Sequence, residues 1–163
     1  MSMSKELRDR LLLQAARHIR SRGYAAFSYA DLSRENGVSK ATVHHYFRTK
    51  EELGAALLAD HQERFAAHLA GLLEGSLQSS ERLRAYGHLF REGFSDGMLP
   101  LCGALAAERD ALPESLREGA RRLFEAQLRW LEAVLDQGAA RRLRSWSRLL
   151  GCEDEDWRAG DQA

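Results

Sequence analysis

The chain has 163 residues, of which 44% are hydrophobic, and its 24 basic and 24 acidic residues give a formal net charge of zero. A chain of this length can form one large hydrophobic core or two smaller ones that share an interface. Only two prolines interrupt a composition rich in the helix-forming residues Ala, Leu, Arg and Glu. This composition predicts an all-α protein.

Membrane and secretory classes are disfavoured by the distribution of apolar residues. No apolar run reaches the roughly 18 to 20 residues that span a bilayer, and the opening MSMSKELRDR lacks the apolar stretch of a signal peptide. Cys102 and Cys152 are too few and too far apart to form a disulfide framework, which fits a reducing compartment. We therefore expect a cytoplasmic protein without a membrane partner.

Charge is distributed unevenly along the chain. Residues 1–50 carry ten basic and four acidic side chains, whereas residues 51–163 carry 14 basic and 20 acidic ones, so the two parts have net charges of +6 and −6. A basic module on an acidic body suits a nucleic-acid-binding protein, because most non-specific affinity comes from phosphate neutralisation and counterion release. Chance clustering of solvated arginines is the alternative that charge alone leaves open.

Two helices are predicted before residue 37. The first has an apolar stripe of period 3.6 and ends at Gly23; the stripe comprises Leu7, Leu11, Leu12, Ala15, Ala16 and Ile19. The second begins after Ser28, which stands three residues before Asp31 in a capping box with Asp in place of Glu. Asn36 and Gly37 are stop signals that keep the second helix short.

A third helix is predicted to follow Ser39 as its cap and to begin at Lys40. Val43 and Phe47 are four residues apart and are expected to face inward with Leu32. Two short helices joined by a Gly-containing turn, with small polar and basic residues leading the second, are typical of a helix-turn-helix DNA reader.

The third helix and the start of the next one supply the candidate DNA contacts. Lys40 and Thr42 lie near the N-terminus of the predicted recognition helix, where side chains reach base edges. Tyr46 has a hydroxyl suited to a phosphate oxygen. Thr49 and Lys50 open a further helix, where backbone N–H groups, the helix dipole and an ammonium group can converge on another phosphate.

The adjacent His44 and His45 allow other interpretations. Neighbouring residues on a helix point about 100° apart, so the two rings cannot easily bind one ion, and no Cys or third His is close in sequence. A zinc site is therefore disfavoured. A structural role for His45, packing against the first helix, stays open beside the DNA-reading role.

The stretch GYAAFSYADLSRENGVSKATVHHYFRTKEEL (Gly23–Leu53) resembles the DNA-binding region of the TetR/AcrR transcriptional regulators. The matching residues, in order, are Gly23, Tyr24, Phe27, Ser28, Asp31, Leu32, Gly37, Val38, Ser39, Thr42, Val43, Tyr46, Phe47, Thr49, Lys50 and Leu53. The chain departs from the family pattern at Asn36, where alanine is usual, and at His44, where tyrosine is more frequent. These departures affect the expected target sequence rather than the expected mode of binding.

The resemblance implies a three-helix head at residues 1–50, joined by a long fourth helix to an all-helical body at 51–163 that binds a small molecule and dimerises. It implies a ligand-responsive repressor that binds a pseudo-palindromic DNA operator as a homodimer. Neither an enzyme nor a cofactor is expected, since no nucleophile–base pair, Gly-rich phosphate loop or metal-ligand spacing occurs. From the residues and the resemblance together, the predicted DNA contacts are Ser28, Ser39, Lys40, Thr42, His44, His45, Tyr46, Thr49 and Lys50.

The body offers weaker signals. A fifth helix is expected at about 80–94, and Pro113 suits the first position of a later helix. A pocket for the effector is predicted among Tyr86, Phe90, Phe94, Met98, Leu101, Cys102, Leu105, Phe124, Leu128 and Trp130, although such a stripe is also typical of an ordinary core. Cys102 is a candidate sensor of electrophiles or oxidants if its thiolate is activated, and an inert apolar residue otherwise.

The end of the chain departs most from the family. Leu143, Trp146 and Leu150 predict one face of a short helix, and the acidic sequence beyond Gly151 resembles a frayed tail. We expect the helices that form the dimer interface in the family to be shortened or missing here. This expectation keeps a second function class open, a helical interaction protein with weak or no specific DNA binding.

Overall fold

The computed structural model of the protein describes residues 3–95 and 97–149. All regular secondary structure in these ranges is helical, which confirms the predicted fold class. The elements are α1 (Met3–Arg22), α2 (Tyr29–Asn36), α3 (Lys40–Tyr46), α4 (Lys50–Glu74), α5 (Ser79–Ser95), α6 (Leu101–Ala107), a 3₁₀ turn (Arg109–Ala111) and α7 (Glu114–Leu149).

The predicted start and stop signals of the head are confirmed. The backbone N–H of Ser28 donates to Oδ2 of Asp31 at 2.9 Å, and its hydroxyl donates to the same oxygen at 2.8 Å, which forms the expected capping arrangement at α2. Gly37 ends α2 in the left-handed conformation at φ +65°. The Ser39 hydroxyl accepts from the N–H of Thr42 at 3.1 Å and so caps α3.

One hydrophobic core runs from the head into the body. Leu32, Val43 and Phe47, the residues expected to face inward, are buried at 0%, 0% and 2% exposure. The same cluster continues through α4, α6 and α7 with Leu53, Leu57, Leu101, Leu105, Leu116 and Leu123. The division of the chain at residues 50 and 51 stays a prediction, and because packing is continuous there, the body helices fix the orientation of the head.

A second, smaller cluster joins α4, α5 and α7 at the far end of the body. Trp130 is buried in it and donates its indole N–H to the carbonyl of Leu69 at 2.8 Å. The buried Arg82 guanidinium donates to the carbonyls of Leu73 at 2.8 Å and Gly75 at 2.9 Å. These bonds satisfy acceptors that the end of α4 would otherwise leave unpaired, so α5 holds the end of α4 in place.

The C-terminal part differs from the sequence-based expectation. Residues 143–149 continue α7, a helix of 36 residues, so the prediction of a separate short helix at Leu143 and Trp146 is wrong. Leu150 and the predicted tail lie outside the described residues. Pro113 immediately precedes α7, and its carbonyl accepts from the N–H groups of Leu116 at 3.0 Å and Arg117 at 3.1 Å, so it occupies the cap position rather than the first helical one.

Within the described ranges, no helix combines the length and apolar character that crossing a bilayer requires.

Candidate nucleic-acid interface

The orientation of α3 depends on contacts that its neighbours make. The Tyr29 hydroxyl of α2 donates to the carbonyl of Phe47, at the end of α3, at 2.9 Å. Burial raises the pKa of Tyr29 to about 12, with a further contribution from the nearby carboxylate of Glu52. The phenol therefore stays a neutral hydrogen-bond donor, and α2 and α3 are held as one unit.

The departure from the family pattern at Asn36 has a local explanation. Asn36 is 8% exposed, and its side-chain amide donates to the carbonyl of Leu32 at 2.8 Å. Its own carbonyl accepts from the guanidinium of Arg10 on α1 at 3.2 Å. His18, also on α1, bonds through Nε2 to the Glu35 carboxylate at 2.9 Å. The Asn36 amide thus adds a side-chain bond within α2 that alanine could not make, whereas the bonds to α1 come from the Asn36 backbone carbonyl and the Glu35 side chain.

The N-terminal part of α3 presents a free cation and a hydroxyl pair. Lys40 is exposed, and within residues 3–95 and 97–149 its ammonium has neither a hydrogen bond nor an ion pair. The hydroxyls of Ser39 and Thr42 lie 2.9 Å apart, and Thr42 is half-buried. Thr42 is therefore oriented by the cap, whereas Lys40 is free to reach outward.

His44 is held in one orientation. Its ring lies 4.7 Å from that of Tyr29, and Nδ1 is 3.2 Å from the carbonyl of Arg48. Because a carbonyl can only accept, Nδ1 carries the hydrogen. Nε2 is the ring nitrogen that has no partner among the described residues, and His44 is exposed.

His45 does not take the alternative role of packing against the first helix. His45 is exposed, and its ring contacts that of Tyr46 with centroids 5.5 Å apart. Tyr46 instead contacts α1, through a hydrogen bond from its hydroxyl to Ser4 at 3.3 Å. Within the described part of the chain no group of three His, Cys, Asp or Glu side chains is arranged for a metal ion.

Lys50 has a structural environment that the sequence did not predict. Its ammonium donates to the carbonyls of Phe27 at 2.6 Å and Ala25 at 3.3 Å. It also lies 4.4 Å from the centroid of the Phe27 ring and 4.7 Å from that of Tyr24. Burial lowers the pKa of Lys50, and the Glu108 carboxylate partly opposes this shift. A phosphate contact by Lys50 stays a prediction, but the ammonium already holds the turn that leads into α2.

The start of α4 is also occupied by groups of the chain itself. The Thr49 hydroxyl accepts from the N–H of Glu52 at 3.0 Å, and the Glu52 carboxylate accepts from the N–H of Arg48 at 3.0 Å. A carboxylate therefore lies beside the helix N-terminus where a phosphate was expected. The predicted phosphate contacts of Thr49 and Lys50 remain untested.

Sequence reasoning missed Arg48 as a candidate contact and counted it only toward the charge. Arg48 is exposed in the turn between α3 and α4, and its guanidinium has no partner among residues 3–95 and 97–149. Lys5 is also exposed, next to the Ser4 that Tyr46 contacts. Lys5, Lys40 and Arg48 are therefore exposed cations on α3 or on segments adjoining it. The sequence did contain a signal for this contact, namely a basic residue in the turn that follows the recognition helix α3.

The Asp31 capping contacts give a pH prediction. Hydrogen bonds from Ser28, with a further contribution from Arg34, lower the pKa of Asp31 from 3.8 to about 2. A depressed carboxyl pKa stabilises the fold above the ordinary pKa and loses this effect as pH falls through 3.8 toward 2. We expect Asp31→Asn to be less stable than the unsubstituted protein at pH 6, with the difference shrinking by pH 2.5. Urea unfolding at both pH values measures this, and an unchanged difference would contradict the assignment.

Within the described part of the body, the residues predicted to line one pocket are divided between two separate cavities. The first, which we name the α1–α6 cavity, has a volume of about 380 Å³ between α1, α4, α5, α6 and α7, and includes Phe90, Leu101 and Cys102. The second, of about 480 Å³, lies between α6 and α7 and includes Leu105 and Phe124.

The other predicted pocket residues lie elsewhere. Tyr86 stacks on the buried Trp130, with ring centroids 5.3 Å apart, and donates to Oε1 of Gln127 at 2.9 Å. Leu128 is 57% exposed, and Met98 is half-buried in the segment before α6 without lining either cavity. The side chain of Phe94 lies outside the described part of the chain. These residues therefore do not line one common cavity of the described body, and their contact with an effector stays a prediction.

Cys102 is buried, and burial raises the pKa of its thiol. A raised pKa keeps the sulfur protonated at neutral pH, which lowers its reactivity. The activated thiolate that a sensor requires is therefore not present in this conformation.

Helix α6 connects the α1–α6 cavity with the head. Just before α6, the N–H of Leu99 donates to the carbonyl of Arg20 at 3.0 Å, and Nε of Arg20 donates back to the Leu99 carbonyl at 2.9 Å. Just after α6, the Glu108 carboxylate accepts from the N–H of Ala25 at 3.0 Å. The carbonyl of Ala25 is in turn a partner of Lys50. The segments on either side of α6 are thus joined by hydrogen bonds to α1 and to the turn before α2.

Comparisons with known proteins agree with this architecture. The sequence model of the family described as "Bacterial regulatory proteins, tetR family" matches residues 11–57. The HTH-type transcriptional regulator CymR of Pseudomonas putida is 31% identical over 145 residues, which are 83% of this chain and 69% of CymR. The transcriptional regulator AcuR of Cereibacter sphaeroides is 32% identical over 111 residues, 66% of this chain, and the match spans only 51% of AcuR.

Solved structures give the same result over most of the chain. A TetR-family transcriptional regulator from Agrobacterium tumefaciens superposes with a TM-score of 0.79 at 33% identity, covering 85% of this chain and 74% of that one. A TetR regulator from Legionella pneumophila gives a TM-score of 0.77 at 28% identity, covering 93% and 90%. Fold and relatives together define a helix-turn-helix DNA-binding regulator. The chain belongs to the TetR family, whose members are transcriptional regulators and not enzymes.

Proposed function

We propose that the protein is a ligand-responsive transcriptional repressor that binds a pseudo-palindromic operator as a homodimer in the cytoplasm. The observation that carries the DNA-binding part is the exposed face of α3, which presents Lys40 and His44 on a helix capped at both ends, with Arg48 exposed in the turn that follows. The basic residues at 1–50 supply attraction to phosphate, and the short capped helix fits the major groove.

Base reading and backbone contact fall to different residues in this proposal. Lys40 and Thr42 lie at the N-terminal end of α3 and read base edges, with Nε2 of His44 accepting from an exocyclic amino group. Lys5, Tyr46 and Arg48 contact phosphates on either side. The hydroxyl groups at the helix N-termini are further candidates for phosphate contacts; they belong to Ser28, Ser39 and Thr49. His45 is exposed and is a candidate DNA contact as well.

Dimerisation sets the spacing of two heads, which must lie about 34 to 36 Å apart to occupy successive major grooves. Members of this family often act as dimers, and α7 carries exposed apolar side chains that suit a second copy of the chain. These are Phe124, Leu128 and Leu135, exposed at 39%, 57% and 56%. An exposed apolar surface of this kind is typical of an interface.

Ligand response follows from the position of α6 between the α1–α6 cavity and the head. A ligand that favours one position of α6 changes the contact of Glu108 with the turn before α2, and with it the relative orientation of the heads. Such coupling requires a ligand with different affinities for the two states, on the order of 1 to 3 kcal/mol.

The DNA-reading assignment is tested with single substitutions and a mobility-shift assay at two salt concentrations, on DNA from upstream of the protein's own gene. Arg48→Ala is expected to weaken binding to all sequences and to reduce the salt slope by about one, because one phosphate contact is lost. Lys40→Ala and His44→Ala are expected to change the preferred sequence.

Arg84→Ala is the matched control, since Arg84 is exposed on α5, away from α3. Light scattering on the same preparations gives the oligomeric state. A monomer without specific DNA binding would overturn the proposal and favour a helical interaction protein. Equal effects of Arg84→Ala and Arg48→Ala would show that general charge, rather than the α3 face, is responsible.

A further inference from the structure

We infer that the α1–α6 cavity binds a small amphipathic anion, an apolar compound that carries one carboxylate or a group of the same charge and size. If the protein is the regulator proposed above, this anion is its effector, so the inference rests on the proposed function in that respect. The volume of about 380 Å³ lies at the lower end of the range for small-molecule sites, which limits the ligand to a compact molecule.

The wall of the cavity selects an apolar body. Phe65 and Phe90 lie with ring centroids 6.4 Å apart in an edge-on arrangement, and Leu101 and Cys102 of α6 close the side toward the core. Leu13 of α1 is 49% exposed although it lines this cavity, so an apolar ligand would cover it. Burying such surface contributes about 25 cal/mol per Å².

The polar groups of the cavity select a negative charge. Its ionisable nitrogen-bearing side chains are Arg20, His61, Arg64 and His68, and no acidic side chain of the described residues lines it. Nε of Arg20 bonds the Leu99 carbonyl, which fixes the guanidinium at the cavity and leaves its terminal amino groups as donors. Arg64 pairs with Asp60 on the outer side and remains 65% exposed, so it can turn to a ligand at small cost.

The lowered pKa of His61 is consistent with a positive potential in the cavity. Its pKa is lowered by burial, and also by the charges of Arg64 and Arg20, while Asp60 opposes the shift. These are the charged groups of α1 and α4 that act on the ring. His61 is therefore neutral when the cavity is empty, and a bound anion raises its pKa. Binding then takes up a proton, so affinity increases as pH falls through the pKa of the bound state toward the lowered pKa of the free protein.

The second cavity does not share this chemistry. It is lined by both signs of charge, and Arg121 forms ion pairs with Glu118 and Glu125 while Arg117 pairs with Glu114. Its wall carries three arginines and two glutamates, so most of its positive charge is offset by acidic side chains. We therefore expect an anion to bind in the α1–α6 cavity rather than in the cavity between α6 and α7.

The test measures binding to the full chain by titration calorimetry without DNA. The probes are phenylacetate, phenylacetamide and 2-phenylethylammonium, which share one apolar body and differ in charge. Phenylacetate is expected to bind at least about tenfold more tightly than the amide, because its charged acceptor forms stronger hydrogen bonds to the arginines. The ammonium compound is expected not to bind. The affinity for phenylacetate is also expected to rise as the pH is lowered from 7.5 to 6, two values on either side of the ordinary histidine pKa of about 6.5.

Substitutions locate the site. Arg20→Gln and Arg64→Gln are each expected to weaken phenylacetate binding about tenfold, and Arg84→Gln, on α5 outside the cavity, to leave it unchanged. If Arg20→Gln disturbs the fold, the comparison of the three probes and the pH dependence still decide the matter on the unsubstituted protein. Equal binding of amide and acid, binding of the ammonium compound, or no binding by any of the three would overturn the inference.

This measurement is independent of the DNA assay. A protein that binds DNA specifically but ignores phenylacetate would retain the proposed function and lose the anion assignment. Conversely, a protein that binds phenylacetate with the expected charge and pH dependence but not DNA would retain the cavity assignment and lose the regulator proposal.

Discussion

Replacing Lys50 with methionine is expected to lower the free energy of unfolding by about 2 to 3 kcal/mol. The loss combines charged hydrogen bonds, which contribute about 1.5 to 3 kcal/mol, with a cation–π contact of about 0.5 to 2 kcal/mol, less the apolar contacts that methionine retains. The carbonyls of Phe27 and Ala25 then lack their donor. Chemical unfolding followed by circular dichroism measures the effect.

The same substitution separates the two roles available to Lys50. If its ammonium only positions the turn before α2, Lys50→Met lowers DNA affinity because the head is less ordered, and the salt slope stays the same. If it contacts a phosphate, the slope falls by about one. Shift assays at several salt concentrations therefore distinguish a positioning residue from a contact residue.

Lys40→Met is the matched control. Lys40 is exposed and has no partner in the described part of the chain, so its replacement is expected to change stability by less than about 0.5 kcal/mol. Its DNA binding is expected to fall all the same, and its sequence preference to shift. A Lys40 variant as unstable as the Lys50 variant would contradict the division of roles between these two lysines.

The head was predictable because its signals are local. Ser28, Asp31, Gly37 and Ser39 act within three or four residues along the chain, so their spacing alone gives the helix ends. The role of Lys50 was not predictable in the same way, since its partners at Ala25 and Phe27 are more than 20 residues away. A lysine at the start of a helix has the same sequence signature whether it binds phosphate or a carbonyl.

The body was predictable only as helices. Aromatic residues at helical spacing do not reveal which cavity they face, and Leu105 and Phe124 line one cavity while Phe90 and Cys102 line the other. The cationic lining of the α1–α6 cavity comes from α1 and α4, distant in sequence from the residues named as pocket candidates. Arg20 contributed to the sequence analysis only as one of the basic residues of 1–50, and His61 was not singled out, because only tertiary packing brings the two together.

Replacing Gly23 with alanine is expected to lower the free energy of unfolding by about 2 to 4 kcal/mol. Gly23 has φ +90°, a conformation that costs a residue with a side chain about 1 to 3 kcal/mol. A Cβ there would also overlap Oε1 of Glu108, so the carboxylate must move and its bond from the N–H of Ala25 is lost. One substitution thus strains the turn and breaks the hydrogen bond between the residue after α6 and the turn before α2.

A double-mutant cycle with Glu108→Ala separates the strain from the contact. In the Glu108→Ala background, Gly23→Ala is expected to cost only the backbone strain, about 1 to 3 kcal/mol, so the two substitutions are non-additive by about 1 kcal/mol. Glu108→Ala alone is expected to leave DNA binding intact and to weaken the release of DNA by an effector. Strict additivity in unfolding, together with full release in Glu108→Ala, would show that α6 does not act on the head through this carboxylate.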